Sequence, residues 1–433
     1  MAAAVSDEAW LEAMLAVEAA LARAEAAAGV IPVEAAAAIE AACDPARFDL
    51  ERIGREAIAA ATPVVPLVKA LTAAAGGEAA GFVHWGATSQ DVVDTAMMLV
   101  ARRAVDLILA DLDGLAAACA RLAERHRDTL MVGRTLLQHA LPITFGLKAA
   151  GWLVAVQEAR EALGGLRDQR LAVQLGGASG TLASLGDRGL EVMSGLAQRL
   201  GLAEPALPWH GARGRVAELG SALAVAAGTA GKVALDVALL MQTEVGEVAE
   251  AAPGASSAMP HKRNPVAAVE VDACARGVQA ELVVLVGALR AEHERAAGAW
   301  QAEWPALTEA LRLTGGAAAR ARQALDGLHV DERRMRANLE LTGGLVLSER
   351  VALALASELG RGRAREVVEA AAARVAAGGG SLGDELLADP AVARCVTPEE
   401  LEHLLEPGGY LGSTAAFVDR ALARWRAGAA RTP

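Results

Sequence analysis

Gly254-Ala-Ser-Ser-Ala-Met-Pro-His-Lys-Arg-Asn-Pro265 is the stretch on which the fold of this chain turns. It opens after Pro253 with small residues, which favour a loop over a helix. Ser256 and Ser257 sit at its tip, and Met259-Pro260 ends the flexible part. Lys262, Arg263 and Asn264 follow. Pro265 then suits the first turn of a helix, because its missing N–H needs no partner there. A hydroxyl-bearing flap hinged on a cationic helix entrance is suited to closing over an anion. The plain alternative is a helix–helix loop with solvated charges. The ordered combination Ser-Ser-x-Met-Pro-x-Lys-x-Asn-Pro argues against that alternative.

Long helices are expected on both sides of the flap. Before it, Val216, Leu219, Leu223, Ala226, Ala230, Val233, Val237 and Leu240 recur in alternating steps of three and four. This heptad seam predicts near-parallel packing in a left-handed bundle. No proline lies between Pro208 and Pro253, so the helix is expected to run on the order of 50 Å at 1.5 Å per residue. Glu244 and Glu247 end the seam and read as solvated charges; contact with Lys262 or a relay group is the alternative. After the flap, periodicity predicts helices over 267–291 and 307–325. Towards the N-terminus it predicts one over 9–28, stopped by Gly29, and a long one over 92–127.

Composition bounds the function. The 433 residues are 54% apolar and only 3% aromatic, enough for a large core of closely approaching helices. A formal charge of −12 argues against nucleic acid or an anionic membrane surface as a partner. Cys43, Cys119, Cys274 and Cys395 are far apart and read as buried thiols of a reducing cytoplasm. No basic-then-apolar leader opens the chain. No apolar run reaches transmembrane length; 219–231 comes nearest. The expected location is cytoplasmic, with no membrane partner.

Two polar stretches stand out beside the flap. In His84-Trp-Gly-Ala-Thr-Ser-Gln-Asp91, Thr88 and Ser89 are natural N-caps of the long helix, and a helix N-terminus suits a carboxylate. In Gly133-Arg-Thr-Leu-Leu-Gln-His-Ala-Leu-Pro-Ile-Thr-Phe-Gly146, the residues Arg134, Thr135, Gln138 and His139 cluster donors, and Pro142 is expected to open a helix. A histidine's ordinary pKa lies near neutrality, the range suited to proton transfer, and His139 lies within this cluster. The Gly-rich run 174–186 follows no predicted strand, so a nucleotide cradle is a poor reading. Pro208-Trp-His-Gly-Ala-Arg-Gly-Arg215 precedes the seam. In the run 292–305, Trp300 and Trp304 read as core or subunit-interface residues.

Together the flap, HWGATSQD, GRTLLQHALPITFGLKAAGW, the Pro-Trp-His stretch and EHERAAGAWQAEW resemble the fumarase/aspartase superfamily over essentially the whole chain, most nearly its 3-carboxy-cis,cis-muconate cycloisomerase branch. Two positions depart from the superfamily pattern. Leu136 stands where other branches place a polar group and cycloisomerases more often have Trp, and Gly214 stands where an Asp is frequent. The resemblance implies an all-α fold of three helical domains, 1–93, 94–342 and 343–433. The middle domain's long-helix bundle would form the core of a homotetramer, with three protomers contributing to each site.

The implied reaction is proton transfer at the carbon alpha to a carboxylate, through an aci-carboxylate, on a small polycarboxylate substrate. Neither a metal nor a redox cofactor is implied. By the same resemblance Ser256 is the acid or base at the alpha carbon, with Ser257 beside it as the alternative. His139 assists at the attacking or leaving oxygen. His84, Thr88, Ser89, Thr135, Gln138, Lys262 and Asn264 bind the substrate. Adenylosuccinate-lyase-like C–N cleavage is the alternative chemistry, opposed by Leu136 and Gly214. A non-catalytic scaffold that kept the fold is opposed by the intact flap.

Overall fold

The computed structural model describes residues 1–255 and 258–429. Ser256 and Ser257 therefore lie outside the described residues. The chain divides into two compact units. One takes Met1–Asp113, Glu158–Lys232 and Glu270–Ala321; the other takes Gly114–Gln157, Val233–Val269 and the chain from Arg322 onward.

In the first unit, helix Asp7–Ala27 begins where the Ser6 hydroxyl accepts the Ala9 N–H, with Asp7 and Glu8 favourably placed in its first turn. It packs against Val33–Ala42 and Gly189–Leu200. Helix Ser89–Arg125 starts at the hydroxyl-bearing stretch, as its capping residues led us to expect. Helix Ala299–Asp326 starts earlier than the periodicity suggests. Pro305, its seventh residue, lies inside the helix, where the ring removes the N–H that would otherwise bond the carbonyl four residues back.

Helix Gly214–Leu240 carries the heptad seam, and every seam residue is buried, from Val216 and Leu219 at 0% exposure to Leu240 at 4%. Its 27 residues give about 40 Å, shorter than the proline spacing allowed. By length and composition this helix is apolar enough to cross a membrane, which the run 219–231 alone does not suggest. Half of its most apolar stretch is buried inside the protein. A core helix of a bundle has the same composition.

The second unit corrects one expectation. Residues 130–144 are not a helix connection, and Pro142 does not open a helix. Strand Leu130–Thr135 pairs antiparallel with Gln138–Thr144, and the next helix begins at Phe145. Met131, Val132 and Thr144 are buried at the base of the hairpin, and Thr135 and Gln138 are exposed at its tip. Pro142 faces Val132 beside a register shift, where a ladder N–H is dispensable. Two-residue ladders join Val248–Ala249 to His329–Val330 and Gly254–Ala255 to Arg263–Asn264. Helices Ser348–Leu359 and Arg361–Ala376 close a separate small core around Val351, Leu355, Ala364 and Val367.

Candidate active site

The first unit assembles His84, Thr88 and Ser89 around one buried carboxylate. Asp91 is 1% exposed. Its Oδ2 accepts the Thr88 N–H at 3.0 Å and the Gly177 N–H at 2.9 Å; its Oδ1 accepts the Gly176 N–H at 2.9 Å and lies 2.6 Å from His210 Nε2. Three backbone N–H donors and one imidazole nitrogen surround its two oxygens. They pin the Thr88–Ser89 turn to the Gly-rich run and to the Pro-Trp-His stretch. Gly176 is required there, because a Cβ would lie 2.8 Å from His210 Cε1. Thr88 and Ser89 are half-buried, and neither hydroxyl has a protein partner among the described residues. Their free donors at a helix N-terminus fit a substrate carboxylate. His84 is held behind them, its Nδ1 2.6 Å from Glu18 Oε1.

One turn deeper lies a second charge cluster. Arg213, whose side chain is 1% exposed, donates to Asp94 and to Glu303, both fully buried. Trp300 Nε1 donates to Asp94 at 3.0 Å, and the amides of Gln90 and Gln174 reach the same carboxylate. Burial and the Asp94 charge raise the Glu303 carboxyl against the pull of Arg213, burial being the largest effect. Arg213 thus ties helices Ser89–Arg125 and Ala299–Asp326 to the start of Gly214–Leu240 within this unit. Trp300 is a core residue, and its indole N–H is a working part of that cluster.

The second unit places the other candidates on two turns. On the hairpin, Thr135 faces Gln138 and Arg134 faces His139. Thr135 and Gln138 are exposed. Arg134 binds Glu247 through two hydrogen bonds of 2.9 and 2.7 Å, and Asn338 Nδ2 donates to the same carboxylate at 2.7 Å. Glu247 is therefore a buried anchor at 0% exposure, not the solvated charge its position after the seam suggested; Glu244 is exposed. His139 sits beside this pair. Burial first, then Arg134, pull its pKa below the ordinary imidazole value, with Glu247 opposing. Its Nδ1 is buried and has no partner among the described residues. A neutral ring with one unused nitrogen is fitted to donate or accept a proton at bound substrate.

The flap is hinged on the ladder joining Gly254–Ala255 to Arg263–Asn264. Gly254 must be glycine, because a Cβ would lie 2.1 Å from Val266 Cγ2. Lys262 is exposed and Asn264 half-buried. The helix entrance after Pro265 is not open to an anion from outside, as the sequence led us to expect. Glu250, 5% exposed, fills it by accepting the Ala267 and Ala268 N–H groups at 3.2 and 2.9 Å. Sequence reading missed Glu250, Glu18 and His210. A carboxylate whose partners lie tens or hundreds of residues away leaves no local signal.

Residues 1–279 match the family described as lyase, and residues 344–421 match the adenylosuccinate lyase C-terminus. A 3-carboxy-cis,cis-muconate cycloisomerase of Bradyrhizobium diazoefficiens is 49% identical over 98% of this chain and 95% of its own length. A nitrosuccinate lyase of Streptomyces davaonensis is 51% identical over 97% of this chain and 91% of its own. Among solved structures, the 3-carboxy-cis,cis-muconate lactonizing enzyme of Pseudomonas putida superposes with a TM-score of 0.91 at 46% identity, covering 98% of this chain and 96% of that one.

Proposed function

The chain belongs to the fumarase/aspartase superfamily of lyases, and from that premise we propose that it is a 3-carboxy-cis,cis-muconate cycloisomerase working as a homotetramer in the cytoplasm. The observation that carries the reading is end-to-end similarity to enzymes of that activity in both sequence and structure. A carboxylate oxygen of the substrate adds to the conjugated alkene. The displaced π electrons move onto the neighbouring carboxylate, giving an aci-carboxylate, and a proton then joins the alpha carbon as the lactone is left behind. Ser256 supplies that proton and recovers it from solvent. Thr88 and Ser89 hold one substrate carboxylate, and Thr135, Gln138, Lys262 and Asn264 hold the others. Fixed donors lower the cost of the doubly charged intermediate because they need no reorientation when it forms.

His139 discriminates between chemistries. A ring held neutral by burial and Arg134 donates a hydrogen bond that orients the attacking oxygen. It is poorly charged to protonate an amine, which C–N cleavage demands of its acid. This disfavours the adenylosuccinate-type reaction. It does not disfavour loss of nitrite, a weakly basic leaving group, and the 51%-identical nitrosuccinate lyase makes that elimination the second reading. Purified protein offered 3-carboxy-cis,cis-muconate, nitrosuccinate and adenylosuccinate in parallel separates the three. The expected result is loss of the diene absorbance with kcat/KM on the order of 100-fold above either alternative, each followed by fumarate release. Preference for nitrosuccinate would replace the proposal.

A further inference from the structure

We infer that Glu18 is a positioning residue of the substrate site, fixing His84 through Nδ1 so that Nε2 is presented to a substrate carboxylate. The inference rests on the reading of His84 as a substrate-binding residue. Glu18 lies on helix Asp7–Ala27, far from any stretch that marks the site in the sequence. It is 1% exposed, and its Oε1 is 2.6 Å from His84 Nδ1. Its Oε2 is buried and has no partner among the described residues. A structural carboxylate in the core normally has both oxygens satisfied, because an unmet one is costly. Here a single partner receives the whole charge.

The backbone points the same way. His84 sits at φ 59°, in the left-handed region, and Gly86 follows at φ 70°. A non-glycine residue in that region is uncommon and is kept where surrounding contacts fix it. The bend delivers the chain from His84 into the Asp91-bound Thr88–Ser89 turn. With Nδ1 engaged, Nε2 is the ring nitrogen left for a ligand, and the side chain is 17% exposed.

The charges facing the ring are consistent with an imidazolium. Burial opposes ring charge, but Glu18, by charge and by hydrogen bond, and then Asp91 outweigh it, so the His84 pKa is raised. Glu25, two turns along the same helix, is raised to about 9 by burial and by Glu18, so it is neutral. The Cys43 thiol nearby is pushed up to about 12 and is neutral as well. Asp91 in turn is shared with His210 and three backbone N–H groups.

The test is an imidazole ¹⁵N titration of His84 in the full-length protein, assigned with His84→Gln and repeated in the isosteric Glu18→Gln variant, with KM measured across pH. In the unsubstituted protein the midpoint is expected above the ordinary imidazole value with Nδ1 protonated; this arm needs no variant to fold. In Glu18→Gln the midpoint is expected at least one unit lower. KM should be on the order of tenfold higher, with kcat little changed, at pH values between the variant's and the wild type's measured midpoints, and should recover below the variant's midpoint. A wild-type midpoint at or below the ordinary value, or a Glu18→Gln variant that lowers kcat and KM effects evenly at every pH without moving the titration, overturns the inference and leaves the site reading standing. A moved titration with KM indifferent to His84→Gln overturns the site reading, and with it the role given to Glu18 there.

Discussion

His210 Nε2 lies 2.6 Å from Asp91 Oδ1 although the two residues are 119 positions apart. That contact turns a helix-capping stretch into a rigid carboxylate cradle. Asp91→Asn puts an NH2 group against a ring of donors that all need an acceptor. The expected cost is about 2–4 kcal/mol of stability, with a rise in KM larger than the fall in kcat. Denaturant unfolding and steady-state kinetics on the same preparation check both halves.

Arg213 is expected to be the most costly single truncation in the first unit. Arg213→Met leaves Asp94 and Glu303 buried without their cation. Breaking a buried pair in this way costs about 3–5 kcal/mol. A urea midpoint unchanged from wild type would show that the cluster is relaxed by water.

Glu25 makes stability depend on pH with a definite sign. Its folded pKa, raised to about 9 by burial and then by Glu18, lies above its unfolded value near 4.5. The folded state therefore holds a proton that the unfolded state has lost. The stabilisation is complete below about pH 4.5 and disappears as pH rises towards 9. Glu25→Gln, which mimics the protonated acid, is expected to be more stable than wild type by about 4–5 kcal/mol at pH 8, from ~1.36 kcal/mol per unit over the roughly 3.5 units above the unfolded pKa, and equal to it at pH 4.5. Thermal melts at the two pH values decide it.

Leu136 and Leu137 occupy the hairpin tip at φ 49° and 64°, and they are 97% and 75% exposed. A two-residue turn with both positions left-handed is normally Asn-Gly. Replacing the pair by Asn-Gly is expected to raise stability by about 1–2 kcal/mol. If the exposed leucines serve substrate or subunit contacts, the same variant loses turnover while its melting temperature rises. Higher stability with unchanged turnover would assign them no such service.

The helices were legible because their signals are local. The alternating steps from Val216 to Leu240 needed only one window of sequence, and all eight residues are buried. The hydroxyl stretch before helix Ser89–Arg125 was legible for the same reason. The hairpin was not. Its strands are short, its turn carries leucines instead of glycine or asparagine, and Pro142 imitates a helix start. The anchoring acids were not legible either. Glu247, Glu250, Glu18 and Asp91 are distinguished by burial and by distant donors, which no spacing rule encodes. Glu247 in particular carries the appearance of an ordinary helix-end charge until Arg134 and Asn338 are seen to surround it.

The most direct measurement is turnover of 3-carboxy-cis,cis-muconate by Ser256→Ala, followed by diene absorbance, with circular dichroism and molar mass in solution recorded on the same sample. With the proton carried by the flap hydroxyl, kcat is expected to fall by about 10³-fold or more in a tetramer whose helicity and melting temperature match wild type. An alanine variant that turns over at the wild-type rate would contradict the assignment of proton transfer to Ser256.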